Sequence, residues 1–294
     1  MFNGTGVALI TPFNHKAIDY PTLGTLIDFV IEGGVDFIVS LGTTGEAITL
    51  SAQECREVLD FTIEKTAGRV PIVAGFFGSN YTEKLTGALR QYNFDGVAAI
   101  MSSSPAYSKP SQEGIFQHYM AVAEASPVPV IIYNVPSRTG SNVLPDTVLR
   151  LAEAGGDRFI AVKEASGNIT QAMQILKYKP ESLQVWSGDD PLTLAICALG
   201  GTGVISVIAN AFPKAFSDMV RAACRGDLVT ARGLNDLLLD IHPWLYVDGN
   251  PCGIKAAMEI LGLCRAEVRI PLTEVSRKTY QALEQELAKI QAPA

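Results

Sequence analysis

Eight short runs of apolar, largely β-branched residues constrain this chain more than any other feature. They are GVALIT from Gly6, DFIVSLG from Asp36, VPIVAG from Val70, GVAAIM from Gly96, VPVIIYN from Val128, RFIAVKE from Arg158, LQVWSG from Leu183 and GVISVIAN from Gly203. Each run is continuously hydrophobic rather than alternating, as expected of strands buried on both faces of a parallel sheet. Parallel strands need helical crossovers, and the intervals supply them. Leu23, Leu26, Ile27, Val30 and Ile31 fall on one helical stripe, and Ser51-Ala-Gln-Glu54 reads as a capping box opening a second helix. Strand starts recur at roughly 20 to 35 residues, the length of a βα unit, so the expected fold is α/β: a closed (β/α)8 TIM barrel. A doubly wound open sheet is the alternative, but no GxGxxG follows the first strand.

After Asn210 the strand signal ends, and helical periodicity takes over around Leu228–Ile241, Gly253–Leu261 and Glu274–Ile290. The reading is therefore a barrel over residues 1–224 and a C-terminal helical region over residues 225–294. No Gly/Ser linker separates them, so the helices should pack on the barrel. Composition then narrows the function classes. With 23 Lys and Arg against 30 Asp and Glu, the net charge of -7 argues against nucleic acid as a partner. Five scattered cysteines without a CxxC pair, and three histidines, suggest neither a disulfide framework nor a metal site. No run approaches the ~18 apolar residues a membrane helix needs, and MFNGTGVALITPF lacks a basic leader. A cytoplasmic protein with no cofactor is expected.

In a barrel the chemistry gathers where strands end at the C-terminal mouth. Lys163 ends the sixth run, where desolvation favours the neutral, nucleophilic amine. With a carbonyl substrate such an amine forms a Schiff base, as in a class I aldolase. A structural ion pair accounts for the position equally well, although adjacent Glu164 should point to the opposite face. Tyr133 brings a phenol to the same rim, able to shuttle a proton or merely to fill an interface. Gly42-Thr-Thr-Gly-Glu46 is a turn whose backbone N–H groups and hydroxyls suit a small anion, though many such turns bind nothing. Arg138, stiffened by Pro136, offers a planar fork for a carboxylate, or is a solvated surface arginine. Asp189 and Asp190 read as a helix-opening turn with an aspartate cap rather than a metal pair. Gly200-Gly-Thr-Gly203 reads as a tight turn, with a phosphate site as the competing view.

Taken together, Gly42-Thr-Thr-Gly-Glu46, Tyr133-Asn-Val-Pro-Ser-Arg-Thr-Gly140, Val162-Lys-Glu-Ala-Ser166 and Gly188-Asp-Asp190 closely resemble the dihydrodipicolinate synthase family. That family lies among the pyruvate-dependent lyases that include N-acetylneuraminate lyase, and the likeness runs from Phe2 through the C-terminal helices. The resemblance implies that Lys163 condenses with pyruvate and that the enamine attacks L-aspartate 4-semialdehyde, on the route to diaminopimelate and lysine. It further implies that Tyr133 donates and accepts protons and that Thr43 and Tyr107 complete its relay. Thr44 and Ile205 would contact pyruvate, Arg138 would hold the semialdehyde carboxylate, and Gly188 would line the pocket. Tyr107 would reach a neighbouring subunit's site, implying a homotetramer built as a dimer of dimers. The charge of Arg138 argues against sugar-acid substrates, for which relatives usually carry an apolar residue there. Where lysine-inhibited relatives tend to present histidines, a glutamate and a tyrosine, this chain aligns Ala52, Cys55, Lys84 and Ala106, given a one-residue insertion near Phe77. Weak or absent lysine feedback follows. Asn250-Pro-Cys-Gly-Ile-Lys255 also departs from the family's proline-rich version, with no catalytic consequence legible in the sequence.

Overall fold

The computed structural model describes residues 2–75, 78 and 80–291 of the 294. All eight expected runs form strands: β1 (Gly4–Ala8), β2 (Phe37–Ser40), β3 (Ile72–Ala74), β4 (Ala99–Ser103), β5 (Val130–Asn134), β6 (Phe159–Glu164), β7 (Gln184–Ser187) and β8 (Gly203–Ser206). They pair in parallel in chain order, and β8 closes on β1 with Gly4–Val7 facing Gly203–Ser206. The fold is the expected (β/α)8 barrel. At its seam a Cβ on Gly203 would stand 2.1 Å from the Gly4 carbonyl oxygen. Close approach of two strands thus accounts for the last glycine of Gly200–Gly203. This turn enters β8 at its N-terminal end, whereas barrel phosphate sites lie at the C-terminal face, so the phosphate reading loses its ground.

Eight helices follow the strands: α1 (Tyr20–Glu32), α2 (Ala52–Thr66), α3 (Thr82–Gln91), α4 (Gln112–Ala125), α5 (Pro145–Gly155), α6 (Ile169–Tyr178), α7 (Thr193–Ala198) and α8 (Pro213–Cys224). The stripe on α1 is as expected at Leu23, Leu26, Ile27 and Val30, all fully buried, with Ile31 packed at its margin. Each such side chain contributes about 1.5–3 kcal/mol of transfer free energy. The capping box on α2 is formed in both directions: Glu54 N–H donates to Ser51 Oγ at 3.2 Å, and Ser51 N–H to Glu54 Oε2 at 2.8 Å. Inside the barrel a second apolar cluster includes Phe37, Val39, Ile131, Ala161 and Trp186. Phe2, Phe37 and Trp186 stack against one another with ring centroids 4.8–5.7 Å apart and plug the barrel interior. Among the described residues no helix is long and apolar enough to cross a membrane.

Beyond α8 come α9 (Leu228–Leu239), α10 (His242–Tyr246), α11 (Cys252–Ile260) and α12 (Arg277–Gln291). Of these, α9 lies along α8, and α12 along α11. Among the small elements left unread are α10, a hairpin pairing Phe13–Asn14 with Ala17–Ile18, and a single helical turn at Pro136–Thr139. All are shorter than the window in which periodicity accumulates.

Candidate active site

Strand register brings the two sharpest candidates together. Tyr133 on β5 is the cross-strand partner of Lys163 on β6, and Lys163 Nζ lies 4.4 Å from the centre of the Tyr133 ring. Lys163 is only 5% exposed, and among the described residues no carboxylate pairs with it. The ion-pair alternative fails because Glu164 faces outward between the sheet and α6. There its Oε2 accepts from Asn134 Nδ2 at 3.0 Å and Gln171 Nε2 at 2.9 Å, while its Oε1 accepts from Ser166 N–H at 2.7 Å.

Lys163 opens into a cavity of about 610 Å³ at the C-terminal mouth, whose wall also includes Thr43, Thr44, Tyr133, Arg138 and Gly188. Gly188 is needed as glycine: a Cβ there would meet Ala165 Cβ at 2.7 Å and the Lys163 side chain at 2.9 and 3.1 Å. The threonine loop is held in a strained shape, with Leu41 and Glu46 at φ +62° and +56°. Thr11 Oγ1 donates to the Gly45 carbonyl at 2.7 Å, and Glu46 N–H to the Thr43 carbonyl at 3.1 Å. Arg138 projects from the Pro136–Thr139 turn, exposed at the rim and without a carboxylate partner among the described residues. The assembly offers a dry amine, a phenol against it, a hydroxyl-bearing loop and a free guanidinium. Such a set suits Schiff-base chemistry on a carboxylated carbonyl compound.

A family model described as the dihydrodipicolinate synthetase family matches residues 1–290. The 4-hydroxy-tetrahydrodipicolinate synthase of Parabacteroides distasonis is 45% identical over 98% of this chain and 96% of its own. This chain belongs to the dihydrodipicolinate synthetase family. Among solved structures, the dihydrodipicolinate synthase of Thermotoga maritima superposes with a TM-score of 0.95 at 34% identity over 99% of each chain. That of Acinetobacter baumannii, a chloride-inhibited enzyme complexed with pyruvate, gives 0.94 at 35% over 99% of each. Like the rest of the dihydrodipicolinate synthetase family, this chain is a synthase of the lyase type.

Two expected residues of the family pattern stand apart from the cavity. Ile205 is buried in the barrel interior, in one apolar cluster with Tyr133 and Ala161, rather than on the cavity wall. Tyr107 points away from its own chain, 92% exposed with φ +65°, anchored by its N–H to the Thr139 carbonyl at 3.1 Å. The expected aspartate cap is not formed: Asp189, at the cap position, makes no side-chain cap bond, and Asp190 Oδ2 instead accepts from Val207 and Ile208 N–H at 2.9 and 2.8 Å and so fixes the end of β8. Desolvation, with the Asp190 charge beside it, pushes Asp189 above the usual carboxylate range.

The C-terminal helices supply the part of the wall that sequence reasoning missed: Leu239, Asp240, His242, Pro243, Tyr246 and Asn250. His242 is buried with Nδ1 unpartnered among the described residues, and desolvation pushes its pKa down against the opposing charge of Asp190. The 250–255 segment, from which no consequence was read, holds the threonine loop twice. Asn250 Nδ2 donates to Thr44 Oγ1 at 3.0 Å, and Lys255 Nζ sits 2.5 Å from Glu46 Oε1, both side chains fully buried. The nearest hint in the sequence is a Lys in an apolar helix; its partner stands 209 residues away.

A second cavity of about 980 Å³ adjoins the first and shares Thr43, Tyr133 and Arg138. Ala52, Cys55 and Ala106 line it, and Lys84 does not: it lies on the exposed side of α3. Phe77, near the expected insertion, lies outside the described residues. The charged side chains on the described wall are Arg56 and Arg138, with no carboxylate.

Proposed function

We propose that this chain is a 4-hydroxy-tetrahydrodipicolinate synthase, condensing pyruvate with L-aspartate 4-semialdehyde on the route to diaminopimelate and lysine. The observation that carries the reading is Lys163, buried, free of any carboxylate among the described residues and set against Tyr133. Its amine adds to the pyruvate carbonyl and water leaves, giving an imine whose cationic nitrogen draws electrons from the methyl carbon. Loss of a methyl proton yields the enamine, which attacks the aldehyde carbon. The substrate amino group then closes on the imine carbon and releases the lysine.

Tyr133 moves the protons at the attacking and leaving oxygens, with Thr43 next in the relay. Thr44 receives the pyruvate carboxylate, while Ile205 stays in the barrel interior, off the cavity wall. Arg138 takes the semialdehyde carboxylate at the rim, and Gly188 leaves the space that Lys163 and its substrate share. Tyr107, extended and strained on the outside of its own chain, completes the relay of a second copy; this favours a homotetramer made from tight dimers. No metal or other cofactor enters these steps. Residues 225–294 act as a packed extension that walls the barrel mouth, and the enzyme works in the cytoplasm. A sugar-acid lyase is the competing reading, and the free charge of Arg138 weighs against it.

The test combines borohydride trapping with a coupled assay. Pyruvate and borohydride should leave a reduced adduct on Lys163, detectable by mass, and aspartate semialdehyde should be consumed. Lys163→Ala should lose both while keeping its unfolding temperature. A wild-type protein that forms no adduct, or that cleaves N-acetylneuraminate faster than it condenses the semialdehyde, would overturn the assignment.

A further inference from the structure

We propose that Asn250 is a positioning residue that sets the direction of the Thr44 hydroxyl, so that its proton is presented to the carboxylate of the keto acid. The inference rests on the functional reading above and adds a residue to it. A threonine hydroxyl has one proton to donate and two lone pairs to accept with. Asn250 Nδ2 donates to Thr44 Oγ1 at 3.0 Å. Once that oxygen is an acceptor, its own proton must go elsewhere, and among the described residues no group accepts it. Thr44 is 2% exposed and lines the cavity, so the remaining direction is the site.

Two further observations separate this role from simple bracing. The loop is already braced without Asn250: Glu46 Oε1 meets Lys255 Nζ, Glu46 Oε2 accepts from Arg269 N–H at 3.0 Å, and the Gly45 carbonyl accepts from Thr11. What Asn250 adds is the rotation of one hydroxyl. Its own Oδ1, moreover, is buried on the cavity wall with no partner among the described residues. A buried acceptor left unpaired is costly, which a residue kept only for packing has no reason to bear.

The polarity can be reversed with little change of shape. In Asn250→Asp an ionised carboxylate can only accept, so the Thr44 proton turns to it and the keto acid meets lone pairs instead. In Asn250→Leu the hydroxyl is unconstrained and can still turn toward the substrate. The readout is the pyruvate concentration that half-saturates borohydride adduct formation on Lys163, together with KM and kcat in the coupled assay. For Asn250→Asp the half-saturating concentration should rise about tenfold or more, the scale of a lost hydrogen bond to a charged ligand. For Asn250→Leu it should rise less than about fivefold, and kcat at saturating pyruvate should change less than KM in both.

Because a new negative charge could repel pyruvate directly, the pair is closed as a cycle with Thr44→Val. Acting through Thr44, Asn250→Asp should add less than about threefold once Thr44 is valine. Should Asn250→Asp fail to fold, Asn250→Leu closes the same cycle, and its smaller effect must vanish in the valine background. The inference is overturned if Asn250→Leu weakens pyruvate as much as Asn250→Asp, or if either effect persists undiminished beside Thr44→Val. Those results leave the Schiff-base reading standing, whereas a wild-type protein that forms no adduct removes both.

Discussion

Replacing Lys255 with methionine strands a carboxylate. The pair it forms with Glu46 is fully buried at both ends. Lys255 also donates to the Glu267 carbonyl at 2.9 Å and lies 4.2 Å from the centre of the Phe13 ring. Desolvation, its largest influence, pushes the Lys255 pKa below the usual ammonium range, and Glu46 opposes it. Without the ammonium, the Glu46 side chain keeps, among the described residues, one hydrogen bond, from the Arg269 N–H at 3.0 Å, and the more distant Arg269 charge. Breaking a buried pair from one side costs about 3–5 kcal/mol, because the remaining charge loses its main compensation. At roughly 2–4 °C per kcal/mol, the unfolding temperature should fall by roughly 6–20 °C. Thermal and urea unfolding of Lys255→Met measure it, and Lys255→Met/Glu46→Gln should recover more than half, since a neutral amide is far cheaper to bury. A loss under about 1 kcal/mol in the single variant, or a double variant no more stable than the single, would refute the argument.

Other outcomes follow from the same geometry. Gly188→Ala forces a methyl against Lys163 and should cut the rate of adduct formation more than about tenfold, a displacement of reacting groups rather than of fold; unfolding temperature and trapping kinetics distinguish the two. The Arg269 guanidinium, through its hydrogen bonds, lowers the Glu54 pKa from 4.5 to about 2. A depressed carboxylate stabilises the fold above its unfolded pKa and loses that contribution as pH falls through the folded one. With Glu54 28% exposed, screening reduces the contribution to roughly 1–2 kcal/mol. Glu54→Gln should therefore flatten the stability profile between about pH 5 and 2, followed by urea unfolding across that range. Lysine should inhibit weakly: the second cavity meets its ammonium groups with Arg56 and Arg138 and, on the described wall, no carboxylate. A rate halved by sub-millimolar lysine in the coupled assay would contradict this.

The sequence alone determined the barrel, because eight doubly buried strands and their crossover helices leave periodic signals within a few residues of one another. It also made Lys163, Tyr133, Thr43, Thr44, Arg138 and Gly188 legible, since each ends or follows a strand, the positions from which the mouth is built. Tertiary structure decided what touches them. Register set Tyr133 beside Lys163, and Asn250 reached Thr44 across 206 residues. Asp190 was turned to serve β8 instead of its own helix. Local patterns report which face of an element is apolar; they carry nothing about which distant polar group will meet its partner once that face is buried. Polar pairing of that kind exists only after the apolar packing has brought the segments together, which is why the C-terminal wall of the site emerged from the fold and not from the chain.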